Sequence, residues 1–222
     1  MELTTAANWL NTSFAGFDQS VTNAVHGLYD AAGWFFSPFL QFISLLGKGG
    51  IFLILLSIGL IFYKKTRRFG TAMLLGLAIG ALFTNLFLKV YIARPRPYAD
   101  QNGFFYPLWE MMGSHMESDK SFPSGHTTAA FGAMFPVFLL GKKRVSWLAL
   151  VFGCLMGLSR IYLVVHFPTD VLGGLFVGSI AGILGTLISQ NVIPKRFFNA
   201  DFFARKKAPP TPDETPPEET TI

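Results

Sequence analysis

Apolar residues fall into long blocks separated by short polar or basic breaks, at residues 50–63, 71–88, 124–140, 145–158 and 171–192. Blocks of this length with few charges read as transmembrane helices, and flanking lysines can snorkel to extend the shorter ones. Ahead of them, Leu10, Phe14, Phe17, Val21, Val25 and Leu28 recur at the spacing of one helical face, with Asn, Asp, Gln and Thr opposite. That pattern predicts an amphipathic helix lying in the membrane interface. Residues 31–46 are more apolar, but Pro38 interrupts them and Gln41 sits inside them, so they either cross the bilayer or dip into it as a second interfacial helix. The predicted fold is all-α: a polytopic membrane helix bundle of five or six transmembrane helices with an N-terminal interfacial helix. Gly76, Ala78, Gly80 and Ala81 in one block, and Gly173, Gly174, Gly178, Gly182 and Gly185 in the last, mark faces where helices approach closely. Asn85 reads as an interhelical hydrogen-bonding residue.

Composition strengthens the membrane reading, with 51% hydrophobic and 14% charged residues and a mean hydropathy of +0.43. A formal net charge of +5 could suggest nucleic acid. The basic residues instead sit in short clusters beside apolar blocks, which is the signature of membrane topology, so the expected partner is the lipid bilayer and not nucleic acid. Cys154 is the sole cysteine, which excludes an intrachain disulfide; its apolar surroundings predict a buried thiol. Residues 1–47 contain no Lys or Arg to form the n-region of a secretory signal. The chain divides into an N-terminal segment, 1–47, a membrane core, 48–197, and a tail, 198–222, that is basic and then rich in Pro, Thr and Glu and is expected to be disordered.

Charge distribution predicts orientation. Lys64, Lys65, Arg67 and Arg68, then Lys142, Lys143 and Arg144, then Lys195, Arg196, Arg205, Lys206 and Lys207 follow alternate blocks. The positive-inside rule makes these ends cytoplasmic, so residues 88–126 and 160–170 face the extracytoplasmic side of a plasma membrane. Those outward ends hold the polar residues that an apolar chain has least reason to carry. Ionisable groups near hydrocarbon are costly unless paired, hydrated or functional. Lys89 to Pro97 reads K-x6-RP, residues 123–126 read PSGH, and residues 159–170 read SR-x5-H-x3-D. Lys89, Arg96 and Arg160 offer cations for an anion, the arginines in bidentate geometry. Ser124 is placed to cap a helix whose free N–H groups, at Gly125 and His126, make an anion site, and Gly125 lets the backbone come close. His126 and His166 add groups able to move protons or act as nucleophiles.

These three motifs, in this order and each at a helix boundary, resemble the signature of the type-2 phosphatidic acid phosphatase superfamily, which includes lipid phosphate phosphatases and soluble haloperoxidases. The resemblance implies a lipid phosphate phosphatase, with His166 as the nucleophile that becomes phosphohistidine, Asp170 holding and polarising it, and His126 protonating the leaving group. It implies Lys89, Arg96, Ser124, Gly125 and Arg160 as phosphate ligands and Pro97 and Pro123 as shaping residues, with no cofactor and no metal. The substrates it implies are phospholipids or polyprenyl phosphates: undecaprenyl diphosphate, phosphatidylglycerophosphate or phosphatidic acid. A phosphatase of soluble sugar phosphates and a membrane transporter are the alternatives. Outside the motifs, Arg94 is expected to anchor at the interface, Tyr162 to pack, His26 and Asp30 to be interfacial, and His115 to be an ordinary loop residue. The polar segment 98–121 is expected to lie over a membrane pocket and to select substrate.

Overall fold

The computed structural model describes residues 3–200, which contain no strand. Ten α-helices follow in order: α1 (Thr5–Ser13), α2 (Ala15–Gly47), α3 (Ile51–Phe62), α4 (Arg67–Leu82), α5 (Lys89–Ile92), α6 (Phe105–Met111), α7 (Gly125–Leu140), α8 (Lys143–Tyr162), α9 (Pro168–Asn191) and α10 (Lys195–Asn199). A π-helical stretch, Phe83–Leu88, joins α4 to α5. Four helical stretches are long and apolar enough to cross a membrane, namely Ala15–Phe62, Arg67–Ala99, Lys143–Tyr162 and Pro168–Asn191, and α7 is a shorter apolar helix among them. The chain is therefore the all-α membrane bundle that the apolar pattern predicts. The expected tail, 198–222, lies almost wholly outside the described residues.

The first passage differs from its sequence reading. Residues 31–46 and 50–63 are not two crossing segments but parts of one stretch, bent at Ala32 and broken at Lys48–Gly50. Gly49 and Gly50 take φ of +60° and +68°, a region open to glycine at little cost, so the helix is interrupted without folding back. The part of α2 beyond the bend packs on α8, whereas α3 packs on α4.

Helices α4, α7 and α9 form the centre of the bundle, and the glycines predicted to mark close faces do so. A Cβ on Gly76 would stand 2.1 Å from the Gly132 carbonyl oxygen, one on Gly178 2.6 Å from the Thr128 oxygen, and one on Gly185 2.5 Å from the Gly76 nitrogen. Without side chains there, backbones touch and dispersion forces hold the helices in a medium that offers no hydrophobic drive. Ala78 and Ala81, read as part of the same packing face, are exposed instead.

Three local expectations are corrected. On α2 before the bend the buried positions are Asp18, Thr22 and His26, while Val25 and Leu28 pack against the core around Tyr162, so the inward side carries buried polar groups that the apolar stripe did not foretell. Cys154 is exposed on α8, not buried. Asn85 is exposed in the π-helical stretch and lines a cavity, with no interhelical hydrogen bond. At the basic end, Arg67 is buried and donates to the carbonyl oxygens of Ile61, Phe197 and Ala200, tying the α3–α4 turn to α10.

Candidate active site

Alternation of the helices brings the end of α5, the starts of α7 and α9 and the end of α8 to one end of the bundle. Local backbone then aims each group. Ala93 adopts φ +51°, which ends α5 and sends residues 94–97 across the site. Val164 adopts φ +53°, costly for a β-branched residue, in the turn that carries His166 between α8 and α9. The Phe122–Pro123 peptide is cis and both Pro123 and Pro97 are buried. Ser124 caps α7: its Oγ accepts from Thr127 Oγ1 at 2.9 Å and from the Thr127 N–H, which leaves its own proton free to donate. The Ser124 N–H donates to the Asp170 carbonyl at 3.0 Å, which joins the starts of α7 and α9.

His166 is buried with its Nε2 2.9 Å from Arg96 Nη1. A guanidinium can only donate, so Nε2 is the unprotonated acceptor and Nδ1 carries the hydrogen. Nδ1 lies 3.5 Å from Asp170 Oδ2, longer than a formed hydrogen bond, and has no other partner. Burial, and then the cations Arg96, Arg160 and Lys89, hold the imidazole neutral well below its ordinary range. This tautomer leaves a lone pair on Nε2, the requirement for a nitrogen nucleophile. Asp170 is itself fixed, through Oδ1 to Arg94 Nη1 at 2.7 Å and through Oδ2 to the Phe167 N–H at 2.9 Å and the Ser121 hydroxyl.

The three motif cations converge, and each holds an acidic partner from segment 98–121. Lys89 Nζ and Arg96 Nη2 both bind the Asp119 carboxylate, while Arg160 Nη2 binds Glu117 and its Nη1 the Ser44 hydroxyl. Arg160 Nε is buried without a partner. Burial would raise the Asp119 carboxyl, but the bonds to Lys89 and Arg96 outweigh it and hold the group below its usual range. Two carboxylates thus stand where cations would receive phosphate oxygens. Beside them a cavity of about 430 Å³ is lined by Lys89, Arg96, Gly125, His126 and His166 at its polar end and by Ile54, Leu74, Leu77, Ala78 and Ala81 along its apolar wall. Ile54, Ala78 and Ala81 are exposed, so the cavity opens sideways between α3 and α4. Ser124, Arg160 and Asp170 stand behind the lining.

The family model described as the PAP2 superfamily matches residues 69–194, more than half of the chain. The chain belongs to the PAP2 superfamily. It is 39% identical over 137 residues to phosphatidylglycerophosphatase B of Bacillus subtilis (strain 168), covering 57% of this chain and 60% of that protein. It is 35% identical over 136 residues to undecaprenyl-diphosphatase BcrC of the same organism, covering 60% of this chain and 64% of the relative. These matches span about three-fifths of the curated relatives' own length. The crystal structure of a transmembrane PAP2 type phosphatidylglycerolphosphate phosphatase from Bacillus subtilis superposes with a TM-score of 0.64 at 29% identity, covering 85% of this chain and 92% of that one.

The ten predicted site residues of this PAP2 chain gather at the same end of the bundle. Several of their partners carry no motif signal: Asp18 and Arg94 beneath Asp170, Ser121 on its other oxygen, Ser44 on Arg160, and Glu117 and Asp119 over the cations. Arg94 is 1% exposed and so is no interface anchor. Tyr162 is buried in a cluster with Trp109 and Val165, as packing requires, and donates to or accepts from Ser37 at 2.8 Å. His115 is an exposed loop residue whose carbonyl accepts from Trp109 Nε1 at 2.8 Å. Gly47 touches His126 so closely that a Cβ would lie 2.6 Å from its Cδ2 and from Met156 Sδ. Gly47→Ala is expected to displace that imidazole, and a shifted His126 ring resonance in isotope-labelled protein checks this.

Proposed function

We propose that this chain releases inorganic phosphate from a lipid phosphate or diphosphate at the extracytoplasmic face of the plasma membrane, through a phosphohistidine intermediate. The carrying observation is the shape of the cavity: cations and two histidines at one end, an apolar wall open between α3 and α4 at the other. A phosphate with a hydrocarbon chain fits that division, and a soluble sugar phosphate has no use for the apolar half. The basic clusters at the opposite end of the bundle support an outward-facing site, with the C-terminus cytoplasmic and the N-terminus outside.

In this reading the phosphate displaces Asp119 and Glu117 from Lys89, Arg96 and Arg160, and its oxygens also take N–H groups at the start of α7 and the Ser124 hydroxyl. His166 Nε2 attacks phosphorus as the bond to the leaving oxygen breaks, and His126 gives that oxygen a proton. Asp170 accepts from Nδ1–H and stabilises the positive charge that the imidazole gains. Water then attacks the phosphoryl group, His126 takes its proton, the phosphorus–nitrogen bond breaks and inorganic phosphate leaves. Fixed cations stabilise the equatorial oxygens throughout, the work that a metal does in other phosphoryl transfers.

The relatives' names favour phosphatidylglycerophosphate and undecaprenyl diphosphate as substrates. The test is phosphate release by detergent-purified protein with EDTA present, on those two lipids, phosphatidic acid and glucose 6-phosphate. Wild type is expected to turn over at least one lipid and His166→Ala none. Release that needs added metal, survives in His166→Ala, or is confined to glucose 6-phosphate would refute the corresponding part of this reading.

A further inference from the structure

The α2 helix precedes the segment matched by the family model, yet it reaches the buried arginine behind the site. Arg94 lies between two buried carboxylates, Nη1 donating to Asp170 Oδ1 at 2.7 Å and Nη2 to Asp18 Oδ2 at 2.8 Å. Its Nε donates to Asn11 Oδ1 at 2.8 Å, Nη1 also to Thr169 Oγ1 at 2.7 Å, and its plane lies 3.7 Å from the Phe167 ring centroid. Asp18 in turn accepts from the Thr169 N–H at 2.9 Å and from its hydroxyl at 2.9 Å, at the first turn of α9 and one residue before Asp170.

We propose that Asp18 is a positioning residue for the reaction, acting through Arg94 on the Asp170 carboxylate that faces His166. Two carboxylates around one guanidinium leave one negative charge in excess, and that excess faces an imidazole which becomes positively charged when it binds phosphorus. Asp18 also prevents Arg94 from pairing with Asp170 alone, and so keeps Asp170 Oδ2 directed at Nδ1. Neither Asp18 nor Arg94 lines the phosphate cavity, so the effect belongs to the chemical step and not to binding.

The inference rests on the proposed phosphatase reading, and the experiment separates the two. Asp18→Asn keeps the shape and one acceptor but removes the charge. With phosphatidylglycerophosphate in detergent micelles, the variant is expected to lose about tenfold or more in kcat with KM within twofold of wild type. In protein carrying isotope-labelled histidine, the His166 Nδ1–H resonance is expected to move in Asp18→Asn, and this is read without any turnover. Wild type that hydrolyses no substrate would defeat the phosphatase reading and leave the resonance to judge the positioning. An unmoved resonance, a kcat equal to wild type, or a rise in KM that accounts for the whole loss would overturn the role of Asp18. Failure of the variant to fold would make it structural and overturn the proposal equally.

Discussion

Asp170→Asn is expected to lower the rate of phosphate release by about a thousand- to ten-thousandfold, on the scale seen when the carboxylate that orients a catalytic histidine becomes an amide. The reason lies in the donors around it. Oδ1 receives Arg94, and Oδ2 receives the Phe167 N–H and the Ser121 hydroxyl and faces His166 Nδ1. An amide NH2 in either position meets a donor, and the His166 ring loses the charge that favours Nδ1–H and a free Nε2. Single-turnover measurement of phosphate release checks this; a loss below tenfold in folded protein would contradict the assigned orientation of His166.

The largest effect on stability is expected from Gly76→Val. A Cβ there would stand 2.1 Å from the Gly132 oxygen and 3.2 Å from Gly182 Cα, and backbone atoms cannot rotate aside as a side chain can. Helices α4, α7 and α9 must separate, which costs about 3 kcal/mol or more and carries Lys89, His126 and Asp170 apart. Gly59→Ala is the matched control. Nothing lies within 4 Å of its added methyl group, and alanine is the better helix former by about 1 kcal/mol. Thermal unfolding in detergent should fall for the first and hold or rise for the second; equal midpoints would show that the glycine contact does not hold the bundle together.

What could be read from the sequence follows the range of the forces involved. Hydrophobic periodicity and charge clusters are local, so the membrane bundle and the closeness of α4 and α9 were legible, as were the motif residues at helix ends. The contacts that complete the site join residues far apart in the chain: Asp18 with Thr169, Arg94 with Asp170, Ser44 with Arg160. No local pattern encodes them. On α2 the pattern was incomplete, because the apolar stripe finds Val25 and Leu28 against protein but not the buried polar residues beside them. Asp18, Thr22 and His26 turn toward protein, since Asp18 finds a buried cation there, while Phe17 stays exposed. Cys154 was ambiguous, because in a membrane an apolar neighbourhood describes lipid-facing and buried positions alike.

The sideways opening between α3 and α4 bears on how the protein would encounter a lipid. Drawing a chain of about sixteen carbons out of a bilayer into water costs about 13 kcal/mol at ~0.8 kcal/mol per methylene. Through a wall formed by Ile54, Ala78 and Ala81, the chain remains in hydrocarbon while only the phosphate changes surroundings. Encounter then becomes a search within two dimensions, and the quantity that sets saturation is the mole fraction of substrate in the leaflet rather than its molarity in the suspension.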